Sequence, residues 1–351
     1  MPTQGRLPWP LRAGWPLVLL LSCGGPPEPA VLSAPKLLER YRQELPLPEA
    51  LTPSIQRASS QWAALADREQ VLLGRYRRGP EAKVLLDLGV LYAQAEKSEL
   101  ALTCLAAAAA EPRFFAEACA WSALARFTAS DLGQARLLAE HALSLDPKQG
   151  IAAAILGRAA LRQGDRELAR AQLRRAAELL PTDAGVALEA AELVEEQGQL
   201  ELAGRLLERP LRQDPNNPAL LYRLAEVREA QGLLLEAEAL RQRHERATLI
   251  DDLGLRAGGQ PPEVVACALG VHFDEQGQPA KAFPEFQAAR ARARDPELLA
   301  TCLAGVAHSG AQIGQFAEAR RALEELRAFA PAHPMLPQIE AAFKKHGLDA
   351  E

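Results

Sequence analysis

Several things are scarce in this chain. Aromatic residues are only 5% of its 351 positions. β-branched residues are thin beside the Ala and Leu that dominate, which argues against a strand-rich fold and for an all-helical one. The five cysteines include no C-x-x-C, and no His stands near a Cys at zinc-ligand spacing. The six histidines are scattered, with no pair at i,i+4. There is no G-x-S-x-G, H-E-x-x-H or Walker loop, and no Rossmann glycine pattern set between a strand and a helix. The expectation is therefore no enzyme, no catalytic residue, no metal, no cofactor and no small-molecule substrate. A net charge of -5 lacks the basic footprint of a nucleic-acid binder. The one apolar run near the start, Leu17-Val18-Leu19-Leu20-Leu21, is far short of the roughly 20 residues that span a bilayer. What is abundant is apolar surface: 48% hydrophobic residues can bury a core, which excludes a disordered acidic chain.

That apolar run follows Arg6 and Arg12 and ends in Leu20-Leu21-Ser22-Cys23-Gly24. A basic start, a short apolar core and a small-residue exit form a processing signal rather than part of the fold. The last residues resemble a bacterial lipobox, with Leu21 larger than is usual at its place. The resemblance implies a lipoprotein signal peptide over 1–22, with Cys23 acylated as the new N-terminus. An ordinary secretory signal with an incidental Cys is the alternative. Residues 23–35, with Gly24-Gly25-Pro26-Pro27-Glu28-Pro29 and on to Pro35, read as a semi-extended tether. The location implied is the bacterial cell envelope, at the outer membrane or periplasmic face. The remaining Cys104, Cys119, Cys267 and Cys302 read as packed free thiols, with the disulfides open to an exported protein as the alternative.

A period then dominates the chain. Pro147, Pro181 and Pro215 are spaced by 34 residues, as are Gly164, Gly198 and Gly232, and Ala169, Ala203 and Ala237. Numbering a unit from 1 to 34, residues 150–183 hold Leu156-Gly157 at phases 7 and 8, then Gly164, Ala169, Leu173, Ala176 and Pro181 at 15, 20, 24, 27 and 32. Residues 82–115, 184–217, 218–251, 263–296 and 300–333 follow the same scheme, with Leu88-Gly89, Tyr92, Ala191, Leu224-Ala225, Leu269-Gly270 and Ala307 among the matching positions. Residues 116–149 are a weaker unit, with a first helix about two residues short. This pattern resembles the tetratricopeptide repeat (TPR). The resemblance implies an all-α solenoid of helix–turn–helix units wound as a right-handed superhelix. Small residues at phases 8 and 20 suit a close helix crossing. Gly at phase 15 suits a left-handed residue ending the first helix, and Pro at phase 32 ends the second.

The organisation expected is N-terminal helices over 36–80 (a cap or divergent repeat), five units over 82–251, a loop over 252–262, two units over 263–333, and a capping helix and tail over 334–351. Trp62, Leu65, Val71 and Leu72 are expected on the apolar side of the N-terminal helices, and Leu336, Ile339 and Phe343 on that of the cap. Pro210 and Pro284 fall inside second helices and are expected to kink them. The Gly- and Pro-rich loop reads as a plain break, with a hinge as the alternative.

TPR arrays present a concave groove lined by first helices, which implies a non-enzymatic interaction scaffold for a protein or peptide partner. A structural lipoprotein subunit or pilotin of a pilus, secretion or outer-membrane-assembly complex is the second expectation. In TPR proteins, phases 5, 9, 12 and 13 face that groove. Here they hold Arg158 and Arg162, then Leu188, Glu192, Glu195 and Glu196, then Tyr222, Glu226 and Glu229, then Asp274 and Glu275. The groove is thus expected to run from basic to acidic, its acids either merely solvated surface or repelling one another until a Lys/Arg-bearing partner arrives. Acids at these phases do not match the clamp that grips chaperone tails. His272 and His308 read as solvated, with a place facing the groove as the alternative.

Overall fold

The computed structural model describes residues 33–45, 51, 54, 60–256 and 260–346. The signal peptide, Cys23 and nearly all of the tether lie outside them. Among the described residues the chain is helical throughout, with no strand. Helices α1 (Ala34–Glu44) and α2 (Ser60–Arg78) come first. Seven helical pairs follow: α3 (Ala82–Gln94) with α4 (Ser98–Ala108), α5 (Phe115–Thr128) with α6 (Leu132–Leu145), α7 (Gly150–Arg162) with α8 (Arg166–Leu179), α9 (Ala184–Glu195) with α10 (Leu200–Leu211), α11 (Pro218–Ala230) with α12 (Leu234–Asp252), α13 (Pro262–Glu275) with α14 (Pro279–Arg290), and α15 (Pro296–Gln312) with α16 (Phe316–Phe329). α17 (Leu336–Lys345) closes the array.

The repeat chemistry explains these pairs. A Cβ added to Gly89, Gly157 or Gly270 would fall 2.5, 2.7 and 2.7 Å from Leu105, Leu173 and Phe286. Each glycine is phase 8 and each neighbour phase 24, so the close crossing is a glycine of the first helix received by a large side chain of the second. At phase 15 the left-handed residue is present in every pair: φ is +83° at Gly164, +72° at Gly198, +79° at Gly232, +67° at Gly277 and +83° at Gly314. The first two pairs use Glu96 (φ +57°) and Ser130 (φ +63°) instead, at the same 34-residue spacing. Before Pro147, Pro181 and Pro331, the residues Asp146, Leu180 and Ala330 leave helical geometry, with ψ of 101°, 63° and 71°, as the ring of a following proline demands. Asp131, Asp165, Asp183, Asn217 and Asp295 cap helix starts by accepting the N–H three residues on, a contribution of about 1 kcal/mol each.

Three expectations need correction. The first helix at 115–128 is not short: a 3₁₀ turn over Pro112–Phe114 leads into a full 14-residue α5. Ala34 and Pro35 belong to α1 rather than to an extended tether, since Pro in the first turn lacks only a donor that the helix leaves free. Val71 is 58% exposed, whereas Leu73 is fully buried beside Leu72, and Leu65 packs against the same core. Trp62's side chain lies outside the described ones. α10 and α14 run on through Pro210 and Pro284, and each proline removes one backbone donor from its helix.

The buried core is continuous from α1 to α12. Its first two clusters meet within α7, where Ala152 and Ile155 belong to one and Ala153 and Ala154 to the other. A third cluster begins only at Ala266 and runs to Phe343, sharing no helix with the second, which ends at Ala247. Polar contacts span that gap: Arg246 forks onto Glu285 (2.5 and 2.9 Å), and Lys281 stands 3.8 Å from Glu245. α17 buries Leu336, Ile339 and Phe343 and leaves Lys344 and Lys345 outside, as a solenoid end requires.

Candidate partner-binding face

The first helices α7, α9 and α11 lie side by side, and α13 and α15 form a second such set. The residues named from phases 5, 9, 12 and 13 fall on them, but most are already engaged. Arg158 of α7 directs Nε at both carboxylate oxygens of Glu189 on α9 (3.0 and 2.8 Å). The Arg162 guanidinium stacks 4.2 Å over the Phe127 ring of α5. Glu195 of α9 accepts from Arg223 of α11 at 2.6 Å, and the same guanidinium reaches Glu226 at 2.8 Å. Glu196 pairs with Arg166 at 2.5 Å, and Glu229 with Arg241. Asp274 of α13 faces Nδ1 of His308 on α15 at 3.1 Å, while His308 Nε2 meets Gln312 at 3.0 Å.

Arg162–Phe127, Arg158–Glu189, Arg223–Glu195 and His308–Asp274 form a ladder between successive first helices, and the remaining pairs lie within a helix or reach a second helix. They correct the expected electrostatics. The acids do not confront one another uncompensated, because Arg223, Arg241 and Arg166 stand among them, and the basic end at Arg158 is matched by Glu189. Oppositely charged groups this close offset most of the repulsion that the acids alone would generate. Glu192 and Glu275 are exposed and take part in no ion pair among the described residues, although the charge of Glu192 is felt by Arg223. His308 is half-buried and bonded at both ring nitrogens rather than simply solvated, and His272 lies against Phe273. Leu188 is half-buried against the second core cluster. Tyr222 is 52% exposed and its ring lies 5.4 Å from that of His244. A hydrogen bond to Glu226 pushes its hydroxyl above the usual tyrosine range.

Sequence reasoning missed Glu189 and Arg223, both at phase 6. Each bonds to the preceding first helix, so the signal lies in the offset between stacked units and not in any one unit.

At the break, a cleft of about 690 Å³ is lined by Glu238, Glu245, Arg246, His272, Phe273 and Lys281 among others. Its walls set charged side chains beside Leu249, Phe273 and Pro284, unlike the predominantly apolar cavities that hold small ligands. Among the described residues no group of three or more His, Cys, Asp or Glu could hold a metal ion, and no helix is long and apolar enough to cross a membrane.

No protein-family model matches this sequence, and no curated protein matches it. Among solved structures the chain is similar to the MamA protein, at 16% identity over 49% of this chain and 93% of that one, with a TM-score of 0.38. It is similar to a chain of the APC/C hetero-tetramer Cut9-Hcn1 at 15% identity, over 78% of this chain and 52% of that one, with a TM-score of 0.41. It is similar to PilW, a widely conserved type IV pilus biogenesis factor, at 17% identity, over 64% of this chain and 98% of that one, with a TM-score of 0.32. Likenesses at this level say nothing of partner or process.

Proposed function

We propose that this protein is a non-enzymatic scaffold that binds a protein or peptide partner along the concave face of its first helices, at the bacterial cell envelope. The observation that carries the reading is the ladder on that face. It fixes the neighbouring first helices in place yet leaves Glu192 and Glu275 without an ion pair and Tyr222 exposed. A face already ordered by its own ion pairs loses little freedom when a partner arrives. The partner supplies Lys or Arg to the two free acids and an apolar or aromatic group to Tyr222.

The envelope location is supported by Leu20-Leu21-Ser22-Cys23 and the apolar run before it. Two or more acyl chains on Cys23 would give stable anchoring. Crosslinking in native membranes, followed by mass spectrometry of the captured proteins, identifies the partner. The double variant Glu192→Lys/Glu275→Lys then tests the surface, because neither side chain takes part in an ion pair whose loss would disturb the fold. Association should slow several-fold and the salt dependence should weaken. Binding that is insensitive both to salt and to this variant would move the recognition surface elsewhere. Recovery of a complex of fixed stoichiometry would instead mark a structural subunit.

A further inference from the structure

Four buried free cysteines fall among the described residues: Cys104 on α4, Cys119 on α5, Cys267 on α13 and Cys302 on α15. They are not equivalent. Burial alone pushes the Cys104 and Cys119 thiols up to about 12. Cys267 and Cys302 are packed in one core cluster on α13 and α15, and the proton affinity of each thiol is set first by the other thiol.

The packing explains why they meet. α13 and α15 are the first helices of successive pairs and run parallel, each followed by a short turn and an antiparallel return. The Phe286 ring of α14 lies against both, so that a Cβ added at Gly270 or Gly305 would fall 2.7 or 2.5 Å from it. Cys267 stands one turn before Gly270, and Cys302 stands one turn before Gly305. The two cysteines therefore occupy the same place in two parallel helices drawn onto one ring, and both belong to the third core cluster.

We propose that Cys267 and Cys302 are a redox-active pair that closes to a disulfide, joining α13 to α15 and locking the last two helical pairs together. The oxidant is a disulfide, either a small molecule or an exchange protein. The Cys267 thiolate attacks one sulfur of that disulfide, forming a mixed disulfide and releasing one thiolate. Cys302 then gives up its proton and attacks the Cys267 sulfur, forming the intramolecular bond and releasing the second thiolate. The protein loses two protons and two electrons, and the oxidant becomes two thiols. The neighbouring Cys302 draws the Cys267 thiol below its ordinary range, while burial opposes the shift. Asp274 and His308 bridge the same two helices, so closing the bond also fixes this part of the binding face. The inference rests on the packing of α13 and α15 and is independent of the partner-binding reading.

The test uses the full chain with oxidised glutathione as the probe. One sample is treated folded, and another is refolded in the same buffer so that burial cannot shield the thiols. Both are alkylated in denaturant, digested and weighed. The expected product is a peptide pair joined through Cys267 and Cys302, about two mass units lighter than its separate halves and released by dithiothreitol. Cys104 and Cys119 should be fully alkylated. Closure should raise the thermal midpoint by roughly 5 °C, and Cys302→Ser should abolish both the cross-link and the rise. Full alkylation of Cys267 and Cys302 after oxidative refolding would overturn the proposal. So would a glutathione adduct that persists on Cys267, or a bond between Cys104 and Cys119.

Discussion

At the residue scale, the clearest local tension is at phase 15. Glu96 and Ser130 adopt the left-handed backbone that glycine supplies in the other five pairs, and a side chain there costs about 1–2 kcal/mol relative to glycine. Glycine's greater freedom in the unfolded chain takes back part of that. Glu96→Gly and Ser130→Gly should therefore each stabilise by about 0.5–1 kcal/mol in urea denaturation, and destabilisation by either would mean that the side chain makes a local bond worth more than the strain. Gly157 is the opposite case. Its missing Cβ would lie 2.7 Å from Leu173 Cγ, 3.1 Å from the Leu173 backbone nitrogen and 3.2 Å from the Ala169 carbonyl oxygen, so two of the three neighbours are backbone and cannot rotate away. Gly157→Leu should destabilise by about 1–3 kcal/mol or more. Gly74→Ala, inside α2 with nothing within 4 Å of the new Cβ, should be neutral or stabilising by up to about 1 kcal/mol. Equal effects at the two sites would show that the phase assignment is wrong. The sequence made Gly157 legible because its neighbours in the 34-residue pattern repeat. Glu96 and Ser130 were not legible, because a left-handed conformation leaves no compositional trace where glycine is absent.

At the element scale, α1 is held by Tyr41. The Arg126 guanidinium stacks 4.3 Å over its ring and Nε donates to its hydroxyl at 2.7 Å, while the hydroxyl donates to Gln134. Burial pushes the Tyr41 hydroxyl up to about 12, against about 10 in an unfolded chain. A raised pKa means that the docked state keeps the proton which the free state releases. Its contribution is complete below pH ~10 and is lost as pH rises through about 12. Proteolytic release of α1 should accelerate over that window in the wild type and not in Tyr41→Phe; identical pH profiles would remove Tyr41 as the cause. The helical pairs themselves could be read from the sequence, since every turn between them and within them except Ala95–Lys97 carries a Gly, Asp or Pro signal. The start of α1 could not, because Pro35 reads equally as a tether residue and as the first turn of a helix. The break after α12 was visible as a Gly/Pro-rich insertion. Its physical nature, a core interrupted between Ala247 and Ala266 and spanned by Arg246–Glu285, depends on stacking that no single unit encodes. The same holds for the binding face, where the positions were legible but the arginines that answer the acids were not.

At the scale of the whole molecule, the account joins an anchor, a repeat array and a face for a partner. The proposed anchor, Cys23 with its preceding apolar run, lies outside the described residues. Cys23→Ser should release the protein from membranes or block its processing, and a mature N-terminal peptide that starts elsewhere and carries no acyl mass would contradict it. The array stacks units that cannot bury their apolar faces alone, which leaves the first helices free to present side chains. The central claim is that this face, and not the second-helix side, meets the partner. The most direct measurement places a photo-crosslinking residue in turn at Tyr222 and Glu192 on first helices, and at Arg174 and Glu178, which are exposed on α8, and irradiates intact cells. The account predicts one partner adduct shared by Tyr222 and Glu192 and absent from Arg174 and Glu178. Adducts confined to Arg174 and Glu178 would contradict it.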